Sequence, residues 1–400
     1  MKYLPRIAEK LIRKYLSLFP GVAITGPRQS GKSTTLRNIF SSEYRYITFD
    51  DPLQIEYFES DPKGFFKEMS DRVIFDEVQK VPGIFPYLKM AIDNDRQNYG
   101  KFILTGSSQF ALIKDITESL AGRIGSVSLL PFQFSEIPEK LRSRQILEGS
   151  YPELVTREFA GAREWYAAYI SNYIERDVRS LLNVGSLKDF RRLILLLAAR
   201  VSQEFNASTL ARELGVSVKT VQSWISVLEA SYIVYLLPSY HKNLGKRIVK
   251  RPKLYFYDTG IVCYLTGLRD YEMLDKGPLA GPVFENYCLA EILKAVLHSG
   301  ADISLYYFRS NSGLETDIII QDRDRHKTLY LEVKNTATAR FRMIEPLKKL
   351  IELEEANEFL RPAEVKGFLL YKGSESPVFS DNIYVENYRD FLQSITSIIV

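Results

Sequence analysis

The chain has 400 residues, 46% of them apolar and 12% aromatic, with 53 Lys and Arg against 49 Asp and Glu for a formal charge of +4. At roughly 100–200 residues per domain this length predicts two to four domains, and the apolar content excludes a disordered or collagen-like chain. With so small a net charge no single field covers the molecule, so a nucleic-acid surface has to be a local patch.

Two cysteines, Cys263 and Cys288, and three histidines build neither a disulfide framework nor a Cys-rich or His-rich zinc site. The opening MKYLPRIAEKLIRKYLSLFP is interrupted by charges too often for a signal peptide. The longest aliphatic run, 193–199, falls far short of the roughly 20 residues that cross a bilayer. The expectation is a cytoplasmic protein with no membrane partner.

In chain order, the runs GVAIT, YRYITF, RVIFD, KFILTG and IGSVSLL alternate with polar or helical stretches between about 21 and 130. This predicts an α/β domain on a mainly parallel sheet. Strong helix formers over 152–201 predict a helical connector. Residues 202–257 predict two short helices and then strand, and 280–400 a helix, two strands, a helix and further strand. The boundaries fall at 1–140, 141–201, 202–257 and 258–400, with no repeat of fixed period.

The strongest motif is Gly26-Pro27-Arg28-Gln29-Ser30-Gly31-Lys32-Ser33, of the form G-x-x-x-x-G-K-[ST], directly after an apolar strand and before a helix-like TTLRNIF. Phosphates need donors without bulk. Glycines let successive backbone N–H groups curl around them, and the helix entered at Thr34 adds positive potential. Lys32 is placed for the β- and γ-phosphates and the Ser33 hydroxyl for Mg²⁺. Arg72-Val-Ile-Phe-Asp76-Glu77 is an apolar strand ending in two carboxylates, Asp76 for the magnesium and Glu77 to orient an attacking water. The strand 101–105 runs into Gly106-Ser107-Ser108, whose hydroxyls lie beside Asp76 if the two strands are neighbours.

GPRQSGKST and VIFDEVQ resemble the AAA-type ATPases of bacteria and archaea. The resemblance implies an ATPase using ATP and Mg²⁺, and a polar residue after the fourth strand that reports nucleotide state, here Ser107 or Ser108. It also implies an arginine that reaches the γ-phosphate from the same or a neighbouring subunit, for which Arg123 in SLAGR is the candidate, and with it a homo-oligomer.

Residues 208–230, STLARELGVSVKTVQSWISVLEA, predict two helices joined by a turn at Gly215, the second capped by Ser217. Val218, Val221, Ile225 and Leu228 share one face, leaving Lys219, Thr220, Gln222 and Ser223 outward, where a recognition helix meets DNA. With the strand that follows, the segment looks like a winged helix. Between 230 and 257 no acidic residue occurs among six basic ones, Lys242, Lys246, Arg247, Lys250, Arg251 and Lys253, a patch able to neutralise phosphates. By family resemblance, winged helices after ATPase cores also serve as lids or protein-docking modules.

The tail places Glu285 on a helix, Glu315 and Asp317 at the opening of one strand, and Glu332 and Lys334 at the end of the next. A hairpin centred near Asp324 sets Asp317 nearly opposite Leu331 and Glu332. Glu285 shares a helix stripe with Leu289, Ile292 and Val296 and so points inward. Clustered carboxylates suit a hard cation, and an adjacent lysine suits activation of water.

This set resembles the PD-(D/E)XK nuclease fold, although Thr316 stands where the usual proline precedes Asp317. The resemblance implies catalytic Asp317, Glu332 and Lys334, and a second Mg²⁺ or Mn²⁺ on Glu285, Asp317 and Glu332. The whole chain is similar to a widespread prokaryotic family whose C-terminal domain is of unknown function. The expected fold is thus a P-loop AAA-type α/β ATPase domain, a winged helix and an α/β restriction-endonuclease-like domain. The expected function is a Mg²⁺-dependent ATPase whose nucleotide state controls two DNA-engaging units. The rival is an ATP-switched signalling or scaffold protein whose C-terminal units bind proteins.

Overall fold

Five short strands pair in parallel, the inner three buried on both faces and the two edge strands only in part: β1 Gly21–Thr25, β2 Arg45–Thr48, β3 Val73–Asp76, β4 Phe102–Thr105 and β5 Ile124–Ser128, in the order β2-β3-β4-β1-β5. The computed structural model describes residues 3–69, 72–106, 120–174, 187–240, 251–355 and 362–399. Because every strand runs the same way, the ends of β1, β3 and β4 come to one edge, where open α/β sheets bind ligands. Helices α1 Ala8–Leu16 and α2 Lys32–Phe40 cover one face through Ile12, Leu36 and Phe40 against Ile24, Ile74 and Ile103. Helices α3 Pro52–Ser60, α4 Pro62–Glu68 and α5 Ile84–Asp93 cover the other with a cluster rich in phenylalanine that includes Phe58, Phe65, Phe75 and Phe85.

Past the sheet, α6 Ala162–Tyr169 and α7 Leu187–Ala199 form the expected helical stretch, followed by α8 Ala207–Leu214 and α9 Val218–Ala230. Gly215 ends α8 in the left-handed conformation, and the Ser217 hydroxyl accepts from Thr220 N at 3.0 Å to open α9. Val221, Ile225 and Leu228 are buried as expected, with Trp224 beside them. Val218 is instead 39% exposed. As the first residue after the cap it precedes the turn that packs. Strands β6 Val234–Leu237 and β7 Lys253–Phe256 then pair antiparallel, and α10 Thr259–Thr266 packs on α6 and α7.

The C-terminal part is a five-stranded mixed sheet in the order β12-β11-β10-β9-β8. Its strands are β8 Ile303–Arg309, β9 Glu315–Asp322, β10 Lys327–Lys334, β11 Glu364–Tyr371 and β12 Ile383–Asn387. The hairpin β9-β10 has the predicted register, with Leu331 opposite Ile318. Edge strand β8 is a third strand ahead of α12 Glu345–Glu355 where the sequence reading has two. The apolar-aromatic ISLYYFR follows the preceding helix after a very short link, so it merges with that helix in a periodicity reading.

Helix α11 Ala280–Ser299 is buried nearly all round, its apolar faces in the core and its polar residues Asn286, Glu291, Lys294 and His298 buried with them. It packs on β10 and α13 Tyr388–Ile399 and also on α1 and β5 of the first sheet. One apolar cluster accordingly runs from Leu130 through Trp224 and Tyr287 to Ile399, so the helical and C-terminal parts share a core. Among the described residues no helix is long and apolar enough to cross a membrane.

Candidate nucleotide site and C-terminal carboxylate cluster

The loop 26–33 joins β1 to α2 at the sheet edge. Gly26 has φ 145°, and a Cβ there would lie 2.1 Å from the Leu129 carbonyl oxygen, so no side chain fits. Gly31, at φ 93°, starts α2 in the left-handed region. Lys32 is 5% exposed and its Nζ donates to the Gly26 and Pro27 carbonyls at 3.0 and 2.9 Å, folded onto the loop it serves. The buried Arg6 braces the same loop from behind, donating to Ser30 O at 3.0 Å and Leu130 O at 2.6 Å while pairing with Glu136 at 3.2 Å. On the far side Tyr169 donates to the Arg28 carbonyl at 3.4 Å.

Asp76 ends β3 with its carboxylate buried among hydroxyls. Ser33 Oγ donates to its Oδ2 at 3.0 Å, Tyr46 donates to the same oxygen, and Thr105 at the end of β4 donates to Oδ1. Glu77 follows at φ 58° and ψ 41°, a left-handed conformation uncommon outside glycine, which turns it out of the strand. Its N–H donates to Thr105 Oγ1 at 3.4 Å and its carboxylate accepts from Gln79. Tyr46 is absent from the sequence reading, and Thr105 enters it only as the end of the strand expected to bring serine hydroxyls beside Asp76. Each sits on a strand flanking β3, a placement that depends on the order of the sheet.

The Ser33 hydroxyl and the Asp76 carboxylate are oxygens of the kind Mg²⁺ takes, and they face each other, so the residues present fit that ion. Beside the loop a cavity of about 340 Å³ is lined by Tyr3, Gln29, Thr34, Asn38, Phe132 and Pro152.

Burial lowers the Lys32 ammonium to about 8, with Arg28 adding to the effect and Glu77 and Asp76 opposing it. A triphosphate in the loop restores the charge. ATP binding is therefore expected to take up a proton above pH 8 and to weaken by roughly tenfold per pH unit there. Titration calorimetry in two buffers of different ionisation enthalpy reads that uptake directly.

Of the remaining candidates, Ser107 and Ser108 lie outside the described residues. The structure does not bring Arg123 to the loop. It precedes β5 at the opposite end of the parallel sheet and is held in a two-pronged pair with Asp93 at 2.7 and 3.0 Å.

The tail residues do converge. Asp317 Oδ2 accepts from Val333 N at 2.9 Å, Glu332 is paired with Lys334, and Glu285 points inward, accepting from Tyr255 OH at 2.5 Å. The sequence reading missed the group at their centre. Lys253, 5% exposed, sets its Nζ 3.0 Å from Glu315, 3.3 Å from Glu285 and 3.8 Å from Asp317.

Lys253 is thus no part of an exposed basic patch. Arg251 is exposed, and Lys242, Lys246, Arg247 and Lys250 lie outside the described residues. The usable signal is alternation in β7, where Lys253 and Tyr255 share a face.

Burial, then Asp317, pushes Glu285 up to about 7 and Glu332 up to about 8. Burial disfavours the Lys253 charge, but Glu285, Asp317 and Glu315 outweigh it and raise its pKa. Among the described residues no three His, Cys, Asp or Glu side chains are arranged to hold a metal. The expected second Mg²⁺ or Mn²⁺ does not fit the cluster as it stands, because an ammonium occupies its centre.

Residues 19–138 match an AAA domain, 139–272 a domain of unknown function (DUF8612), and 280–391 a domain of unknown function (DUF4143). An uncharacterized protein of Mycobacterium tuberculosis and its Mycobacterium bovis counterpart are each 31% identical over 335 residues, covering 83% of this chain and 74% of the relative. An uncharacterized protein of Methanocaldococcus jannaschii is 23% identical over 269 residues, covering 59% of this chain and 60% of that one. Among solved structures a Walker-type ATPase of Pyrococcus abyssi is similar at 16% identity and TM-score 0.47, covering 66% of this chain and 96% of that one. The chain belongs to the family of the two mycobacterial proteins, and residues 19–138 form its AAA domain, at whose phosphate-loop motif Ser33 donates to Asp76.

Proposed function

We propose that the chain binds ATP with Mg²⁺, hydrolyses it, and uses the nucleotide state to set the position of a winged helix, 202–257, and a nuclease-like C-terminal unit that engage DNA. In this reading Lys32 and the N–H groups of 26–34 hold the phosphates, and the neighbouring cavity takes the base. Ser33 and Asp76 hold Mg²⁺, which neutralises charge as it builds on the phosphoryl oxygens. Glu77 orients the attacking water. Ser107 and Ser108 sense the γ-phosphate, and Arg123 reaches it only from a neighbouring subunit.

The observation that carries the coupling is Tyr232, which closely follows α9. Its hydroxyl is 2.9 Å from Thr25 Oγ1, the last residue before Gly26, and 2.9 Å from Ser128 Oγ. A shift of the phosphate loop therefore acts on the end of the second helix of the pair. A ligand moves such an equilibrium only by binding two arrangements unequally, and the γ-phosphate supplies the difference.

For DNA, Lys219 and Gln222 are exposed and Thr220 and Ser223 half-buried on α9, where a recognition helix presents its reading face. Binding of the full chain to duplex DNA is expected to weaken linearly with the logarithm of salt, with a slope of about −0.9 per phosphate contacted. It is also expected to differ between ATP and ADP. Fluorescence anisotropy across a salt series checks both. A chain that binds no DNA, or binds it without salt dependence, favours the signalling or scaffold reading.

A further inference from the structure

The peptide that joins Ser30 to Gly31 lies in the phosphate loop, directly ahead of α2. A planar trans peptide points its C=O and its N–H in opposite directions, so whatever holds the Ser30 carbonyl also aims the Gly31 N–H. That carbonyl accepts from Arg6 Nη1 at 3.0 Å. Gly31 has no Cβ and sits at φ 93°, so the backbone alone does little to stop this peptide from turning over.

Arg6 is itself held on every side. Its Nη2 donates to Leu130 O at 2.6 Å and its Nε to Glu136 Oε1 at 3.2 Å, with both charged side chains 1% exposed. Glu136 also accepts from Ile7 N at 2.6 Å and Gln133 N at 2.9 Å, and the guanidinium lies 4.7 Å from the Phe132 ring centroid. Each guanidinium nitrogen thus has a protein acceptor, and the group serves the backbone of the loop. Leu130 is gripped from its other polar group as well, since its N–H donates at 3.1 Å to Nε2 of His298 on α11.

We propose that Arg6 is a positioning residue for nucleotide binding: it locks the Ser30–Gly31 peptide with the Gly31 N–H turned to the phosphates, and α11, through Leu130, sets where the guanidinium stands. The inference rests on reading 26–34 as the phosphate site, and it adds what keeps that site in shape. Backbone N–H groups bind an anion only while they converge on it. Loss of the lock therefore costs affinity for the phosphates and leaves Asp76 and Glu77, on another strand, as they were.

The test is equilibrium binding of labelled ATP and ADP to the full chain, at a temperature where thermal melts show each variant folded. Arg6→Ala is expected to weaken both nucleotides by about tenfold to a hundredfold, the worth of one hydrogen bond to a charged group. At saturating ATP its kcat is expected to stay within about threefold, because the loss falls on binding. Arg6 lines the cavity beside Gly31 and Thr34, so a small cation can enter the space that Arg6→Ala leaves. Methylguanidinium is expected to restore most of the affinity and methylammonium at the same concentration little, since only the planar fork reaches several acceptors at once. Arg6→Lys keeps the charge without the fork and stands in should Arg6→Ala fail to fold, with an expected loss of at least about fivefold. His298→Leu removes the acceptor of Leu130 N and is expected to weaken binding by a smaller factor.

Unchanged affinity in Arg6→Ala or Arg6→Lys, equal rescue by the two cations, or rescue by neither with kcat falling as far as affinity, overturns the lock. Unchanged affinity in His298→Leu overturns its link to α11. An unaltered chain that binds no ATP removes the reading of the phosphate loop, and the lock with it.

Discussion

Lys32→Ala is expected to abolish ATP binding and turnover together. Its Nζ donates to two of the phosphate loop's own carbonyls, Gly26 and Pro27, at 3.0 and 2.9 Å. Removing it leaves those carbonyls facing a polyanion with nothing between. Glu77→Gln separates binding from chemistry. The amide keeps the size and the left-handed turn but cannot accept a proton from water, so ATP should stay bound while hydrolysis falls by about 10²-fold or more. Equilibrium binding of a labelled nucleotide and phosphate release on the same preparations read the two effects. Turnover retained in Lys32→Ala, or binding lost in Glu77→Gln, removes the corresponding role.

The parts of this site visible in the sequence are those fixed by short range. Glycine spacing, a strand before and a helix after identify 26–33, and an apolar run ending in two carboxylates identifies Asp76 and Glu77. The hairpin register that sets Asp317 against Glu332 follows from a short turn, and Ser217 follows from cap chemistry. Residues brought in by distant pairing were not legible. Thr105 and Tyr46 reach Asp76 because β4 and β2 flank β3, and Arg6 reaches Ser30 and Leu130 from ahead of the sheet.

Lys253 shows the limit best. A run of basic residues reads as a solvated patch because local charge carries no information on which way a strand turns its side chains. Only the acidic partners, contributed from 285, 315 and 317, reveal that this one turns in. The polar stripe of α11 was hidden for the same reason, since Glu291, Lys294 and His298 look like ordinary surface positions until the helix is found buried.

That stripe carries the largest expected effect on stability. Lys294 Nζ donates to Phe132 O at 3.1 Å, Ser150 Oγ at 3.0 Å and Glu291 Oε1 at 2.7 Å, while Glu291 accepts from Phe134 N at 2.5 Å and Gln145 at 2.8 Å. Burial lowers His298 to about 3, so it is neutral: its Nε2 accepts from Leu130 N at 3.1 Å and its Nδ1 donates to Gln133 Oε1 at 3.1 Å. The C-terminal unit thus holds the backbone that follows β5, the same stretch that Arg6 ties to the phosphate loop.

Lys294→Met keeps the length but strands the Glu291 carboxylate in the interior, which costs about 3–5 kcal/mol. Burial already raises the Glu291 pKa, and Lys294 opposes that rise. Without the lysine the folded state holds the carboxyl proton more tightly than the unfolded chain does, so stability falls as pH rises above about 4.3. Denaturant melts should therefore show a smaller loss at pH 5 than at pH 8. Glu291→Gln added to Lys294→Met should recover part of it, because no buried charge then lacks a partner. An equal loss at both pH values and in both variants would mean that packing of the lysine stem, not the stranded charge, sets the cost.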